Sequence, residues 1–152
     1  MALQTAYTQF QPAAFVGMIG NMEEWNGITR TASATIAFGA PVQRNGDDGC
    51  APLASGGEFM GIAIAHHVIT ATNADSYGQY DNVPIADEVG RIREIADAAI
   101  AVGAAVRFNT ATGRYTTAAA SGTVIDVPGA EADTAAAGAG SHFWMRLRRI
   151  PS

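Results

Sequence analysis

Between Thr35 and Ala65 the apolar positions mark out a series of short strands. Ile36 and Phe38 alternate with small residues, and Gly39-Ala40-Pro41 turns the chain before a second run opens at Val42. Asn45-Gly46-Asp47-Asp48-Gly49 is dense in turn chemistry, because Gly accepts positive φ and Asx side chains bond their own backbone. Phe59-Met60-Gly61-Ile62-Ala63-Ile64 is an unbroken apolar run of strand length. The pattern predicts strand, tight turn, strand, hairpin loop, strand.

The same pattern returns 64 positions later. Ile36 to Gly49 laid over Ile100 to Gly113 gives seven identities in 14 positions: Ile36, Ala37, Gly39, Ala40, Val42, Asn45 and Gly49. Alanine identities come easily in an Ala/Gly-rich chain, but the spaced Gly, Val and Asn are harder to obtain by chance. Two copies of one β unit predict a barrel or sandwich assembled from halves.

The flanking segments extend this reading. Residues 1–12 have no amphipathic period and read either as a frayed terminus or as an arm anchored on a neighbouring subunit by Tyr7 and Phe10. Phe15 to Gly20 reads as a first strand weakened by its glycines. Asn21 to Gly27 reads as a helical turn capped by Asn21. Thr72 to Asp81, with Tyr77 and Tyr80, reads as an exposed loop. From Val89 to Ile100 a helical face competes with a strand; Gly90 and the β-branched residues favour a strand, with a turn near Asp97. Thr123 to Val127 predicts a strand closed by Pro128-Gly129, and residues 130–140 a surface loop. In the last run Phe143, Met145 and Leu147 share one face, and Trp144, Arg146 and Arg148 the other. Short strands at regular spacing predict an all-β fold, a small β-barrel or sandwich of antiparallel strands. Residues 1–14 form the N-terminal arm and 15–152 a single β domain.

Composition narrows the function. The net charge of −5, with nine Arg and no Lys, argues against direct nucleic-acid binding, which needs a basic surface. One cysteine, Cys50, rules out an internal disulfide framework and reads as a small apolar residue near a turn. Residues 1–22 carry no charge, so the basic start of a signal peptide is missing, and nothing reaches membrane-spanning length without charge or turn residues. The expected product is soluble and made in the cytoplasm.

Catalytic and metal chemistry find little support. His66 and His67 point to opposite faces of a strand and cannot readily share one ion. Glu23-Glu24, Asp47-Asp48 and Asp87-Glu88 stand in polar or turn-like surroundings, and no nucleophile elbow, P-loop or dinucleotide fingerprint is present. No cofactor, metal site or enzymatic activity is expected. Trp144, Arg146 and Arg148 form a face of the kind that proteins bury against one another. A tryptophan covered by its own chain, with arginine stems across it, accounts for the same pattern.

The order FVGMI (15–19), TIAFGAPV (35–42), a polar turn, EFMGIAI (58–64), VGRIREI (89–95), AIAVGAAVRF (99–108) and IDVPGAEADTAAAGAGSHFWMRL (125–147) resembles the structural cement, or decoration, proteins of tailed bacteriophages. The specificity lies in order and spacing, since each motif is short. Two features depart from the family pattern: Ala104-Ala105 after the second turn, and Trp144 and Arg146 in a final strand that is usually aliphatic. The resemblance implies a mainly β protein without catalytic residues, bound to the outer surface of the assembled head. Its partners would be the major capsid protein, whose subunits it would bridge, and itself, as a homo-oligomer with a trimer preferred over a dimer. The readings that compete are a small β-barrel enzyme or sugar-binding module with a site near His66 and Tyr77, and an interaction module of a cellular complex.

Overall fold

The computed structural model describes residues 15–20, 25–66 and 75–148. Among them there is no helix. The strands are β1 (Asn26–Ala32), β2 (Ile36–Ala37), β3 (Pro41–Asn45), β4 (Gly49–Pro52), β5 (Phe59–Ala63), β6 (Ser76–Tyr77), β7 (Asn82–Ile95), β8 (Ala105–Asn109), β9 (Arg114–Thr116), β10 (Val124–Ala132) and β11 (His142–Leu147). Nine of them join in the order β1-β4-β3-β5-β7-β11-β10-β8-β9. A further pairing of β1 with β7 closes β1, β4, β3, β5 and β7 into a five-stranded barrel. β2 and β6 pair separately.

The other strands repeat the plan of the first barrel. Ala32 meets Cys50 in a parallel pairing, and Ser33 N–H donates to the Cys50 carbonyl at 2.9 Å. Sixty-four positions on, Ala96 meets Tyr115 in a parallel bridge, and Asp97 N–H donates to the Tyr115 carbonyl at 2.7 Å. Ile28 lies opposite Ile85 and Ile92 opposite Met145. Gly39 N–H donates to Ala63 and Gly103 N–H to Ala132, both at 2.8 Å. The second half of β7 is thus the counterpart of β1, and β8, β9, β10 and β11 are the counterparts of β3, β4, β5 and the first half of β7. The second ring closes through the Ala96–Tyr115 bridge, and β7 belongs to both.

Two buried clusters follow from this plan. Ala32, Ile36, Val42, Cys50, Ala63, Val83 and Ile85 fill the first barrel. Ile92, Ala96, Val106, Tyr115, Ala132, Phe143, Met145 and Leu147 fill the second. Ile62 and Ala86 on the outer wall of the first barrel join the second cluster and are fully buried. β5 is therefore covered on both faces, which is why its sequence is an unbroken apolar run rather than an alternation.

Several expectations change. Asn26 and Gly27 begin β1 and are not helical. Phe15 to Gly20 forms no strand of its own; Ile19 makes an isolated bridge to Ile92, and Gly17, Met18 and Gly20 hydrogen-bond the backbone of β7. Tyr77 is a core residue rather than part of an exposed loop; its hydroxyl donates to the Ile64 carbonyl and its ring meets Phe38 edge-on at 5.0 Å. β10 runs on through Pro128-Gly129 to Ala132, with Gly129 at φ +79° marking an irregularity in its pairing with β8. Ala136, placed in a surface loop by its composition, is buried against Ile100. Gly49 and Gly113 match in sequence but not in role: the positive φ of the first hairpin belongs to Gly46, and the second loop is longer by one residue. The strand reading of residues 89–95 and the alternation of β11 hold. The N-terminal arm lies outside the described residues.

Gly39 and Gly103 make a controlled pair. Both hold a left-handed conformation, at φ +73° and +78°. A methyl group at Gly103 would meet only Glu131 Oε1 at 3.7 Å, whereas at Gly39 it would overlap the Glu94 carboxyl and the Val16 side chain. Gly103→Ala should cost about 1–2 kcal/mol for the conformation alone. Gly39→Ala should add about 1–3 kcal/mol for overpacking. Urea denaturation of the two variants checks the difference; equal losses would show that the core at Gly39 yields freely.

Candidate functional site

The face of the molecule built by β7, β11 and the end of β10 gathers the residues singled out at the C-terminus. β11 alternates: Phe143, Met145 and Leu147 are buried, while Trp144 and Arg146 are half-buried on the other side and Arg148, just beyond it, is exposed. Trp144 is opposite Arg93, whose guanidinium carbon stands 5.2 Å from the indole centroid. Gly20 packs against the same ring so closely that any side chain there would collide with it. Trp144 N–H donates to Thr134 Oγ1 at 2.9 Å.

Around this ring the charges are paired. Arg146 Nη2 donates to Glu131 Oε1 at 2.5 Å, and Arg91 Nε donates to Asp133 Oδ2 at 2.7 Å. The hydrogen bond from Arg146 holds the Glu131 carboxyl below the usual carboxylate range, and Glu131 in turn raises Arg146. Burial, then the nearby Arg93, push His142 down. The result is a tryptophan framed by two ion pairs on rigid strands.

The structure thus brings Trp144 and Arg146 together and adds Arg91, Arg93, Glu131 and Asp133, which sequence reasoning left out. Strand alternation offered a signal: in VGRIREI the arginines flank the buried Ile92. Arg148 lies beyond the cluster, where its N–H donates to the Gly129 carbonyl at 3.1 Å. Tyr7 and Phe10 lie outside the described residues.

Around His66 and Tyr77 the described residues form no comparable cluster. His66 is exposed and His67 lies outside the described residues. The Tyr77 hydroxyl is already engaged and its pKa is pushed up to about 12, first by burial and then by Asp81. Among the described residues no group of three His, Cys, Asp or Glu could hold a metal ion. Cys50 is buried, and burial pushes its thiol up.

A family model described as structural cement protein (E217 gp24/Pam3 gp6) matches residues 3–148. The chain belongs to this family. Its role is that of a capsid cement or decoration protein, a structural part of the phage virion that associates with capsid proteins. The fold agrees with that of a chain from the capsid of Myoviridae phage XM1, at a TM-score of 0.70 and 15% identity, covering 99% of this cement protein and 100% of that chain. No curated protein matches.

One buried ionisable group remains. Glu94 is 1% exposed inside the second barrel, and its Oε1 has no hydrogen-bond partner. Burial raises its pKa well above the carboxylate range. Below that range the folded and unfolded carboxyls are both protonated and Glu94 costs nothing. As pH rises past it, the unfolded chain gains by ionising and the folded chain does not, so stability falls until the raised folded value is reached. Glu94→Gln should therefore be more stable than the parent at neutral pH, with the advantage shrinking toward pH 4. Urea denaturation across that range checks this; a constant difference would mean that Glu94 is ionised in the fold.

Proposed function

We propose that this cement protein binds the outer surface of the assembled head and bridges neighbouring major capsid subunits through the face centred on Trp144. The family match carries the reading, and the framed tryptophan supports this face as the one proposed for the contact. Trp and Arg dominate the binding energy of protein interfaces, chiefly where a rigid surface presents them. Here β7 and β11 carry the tryptophan, Arg93 and Gly20 pack against its indole, and Thr134 accepts from its backbone N–H. Ion pairs at the rim set orientation more than affinity.

Bridging needs no single strong contact. Once one contact forms, the next capsid subunit is presented at high effective concentration. A protein that binds only the assembled shell stabilises it by mass action. Self-association adds contacts in the same way, and Arg148 extends the face beyond the ion pairs.

Heads purified without this protein test the proposal by cosedimentation. Trp144→Ala should weaken decoration by about tenfold or more, while Arg148→Glu, which leaves the packed cluster intact, should have a smaller effect. Circular dichroism establishes that both variants fold. Unchanged decoration by Trp144→Ala would place the capsid contact elsewhere.

The uncharged residues 1–12 are proposed to pack through Tyr7 and Phe10 on another subunit, either a sister copy or the capsid floor. Ordering them costs roughly 1–2 kcal/mol per residue in backbone entropy, which two buried aromatics and a paired backbone offset in part. Deleting 1–12 should leave the circular dichroism of the β strands unchanged and weaken oligomerisation or decoration. Full retention of both would reduce the segment to a passive tail.

A further inference from the structure

The two barrels differ at one edge. In the second barrel, the edge of β7 that faces away from β11 is covered by Gly17 to Gly20. Gly17 N–H donates to the Arg93 carbonyl at 2.8 Å, Arg93 N–H to Met18 at 2.9 Å, and Gly20 N–H to Arg91 at 2.9 Å. Ile19 bridges Ile92, which is fully buried.

The counterpart of Arg91 to Arg93 in the first barrel is Gly27 to Thr29 in β1. There the same edge is open. Thr29 is opposite Pro84, which has no N–H and whose carbonyl accepts from Ile64 on the far side. Thr29 N–H and C=O therefore point away from β7, and by alternation so do those of Gly27. Thr31, two residues on, points the same way and donates to the Asp48 carbonyl at 3.1 Å. β4 meets β1 only at Thr31 and Ala32, and among the described residues no backbone group bonds Gly27 or Thr29 on this edge. Gly27, Ile28 and Thr29 are exposed, with Ile28 at 41% against none for Ile92. The stretch carries no proline or lysine of the kind that blunts free edges.

We propose that β1 pairs antiparallel with β1 of a second copy, about a two-fold axis through Ile28. Gly27 then exchanges both backbone hydrogen bonds with Thr29 of the second copy, and Thr29 with its Gly27. Ile28 meets its own symmetry mate in the close, non-bonded position. Arg30 comes opposite Asn26 of the second copy, whose amide donates to Glu88 at 3.2 Å. The charges complement each other: among the described residues Arg30 Nε has no acceptor, and its guanidinium has a 3.6 Å contact with the exposed Asp48. Moving the axis to Arg30 would set that guanidinium against itself. An isologous contact of this kind yields an even-numbered assembly, unlike the trimer that the family resemblance implies.

Sedimentation equilibrium of the full chain, without capsids, tests this independently of the cement reading. The parent should dimerise. Thr29→Pro removes an N–H that makes no bond to β7 and should weaken the dimer by about tenfold or more, as read from its Kd. Arg30→Glu should weaken it too, and Arg30→Glu combined with Glu88→Arg should restore it, which a merely unfolded variant could not do. A parent that is trimeric, or monomeric at high micromolar concentration, overturns the proposal. So does a dimer untouched by both single variants. If Thr29→Pro leaves the dimer intact but abolishes decoration of heads, the edge belongs to the capsid protein and the proposal is wrong.

Discussion

Every backbone group in a β structure needs a partner, and in this chain β7 supplies partners for two barrels at once. Its fourteen residues pair with β1 and β5 in the first half and with β11 in the second. Small sheets leave two edges to be protected, whereas a closed ring leaves none. Running one long strand through both rings also fixes their relation. Ile85 fills the first barrel while Ala86, next in sequence, fills the seam with the second, because adjacent strand residues point to opposite faces. A slip of one residue in β7 would exchange the two cores.

Much of this was legible because the constraint acts locally. The 64-residue repeat reports a turn-strand-hairpin unit that recurs in backbone detail, down to paired hydrogen bonds at Gly39 and Gly103. The alternation of β11 reports a sheet with one buried face. What stayed hidden depends on contacts distant in sequence. Tyr77 reads as a loop residue because its neighbours are polar, yet β6 folds back on Ile36 and buries it. Ala136 stands in a low-complexity stretch whose pairing with Ile100 no local pattern announces. The partners of Trp144 come from β7 and the end of β10, so only the strand order assembles the candidate interface.

The repeat is most informative where it fails. Arg30 and Glu94 are counterparts, both on the inner face, and their chemistry is opposite. Glu94 is sealed in by Gly39 and Val16, where a bare carboxyl fits and a methyl group on Gly39 does not. Burial of an acid without a cation favours its neutral form, which pushes the Glu94 carboxyl well above the usual carboxylate range. Arg30 instead presents a guanidinium, whose burial is costly without solvent or a carboxylate. It sits at the open end of its barrel beside Asp48.

That difference bears on why, among the described residues, the β7 edge is covered by the chain and the β1 edge is not. Covering Ile92 with Ile19 gains apolar burial and places only a neutralisable acid underneath. An equivalent strand of the same chain over Ile28 would also enclose Arg30, whose ion pair with the exposed Asp48 is a 3.6 Å contact, and desolvating a guanidinium so weakly paired is costly. A cover for β1 that brings its own acceptor reduces that cost. In the proposed dimer, Glu88, which accepts from Asn26 at the far end of the exposed stretch from Arg30, would be that acceptor for Arg30 of the second copy. The asymmetry between the two halves is thus what distinguishes the β1 edge as the surface proposed for pairing with a second copy.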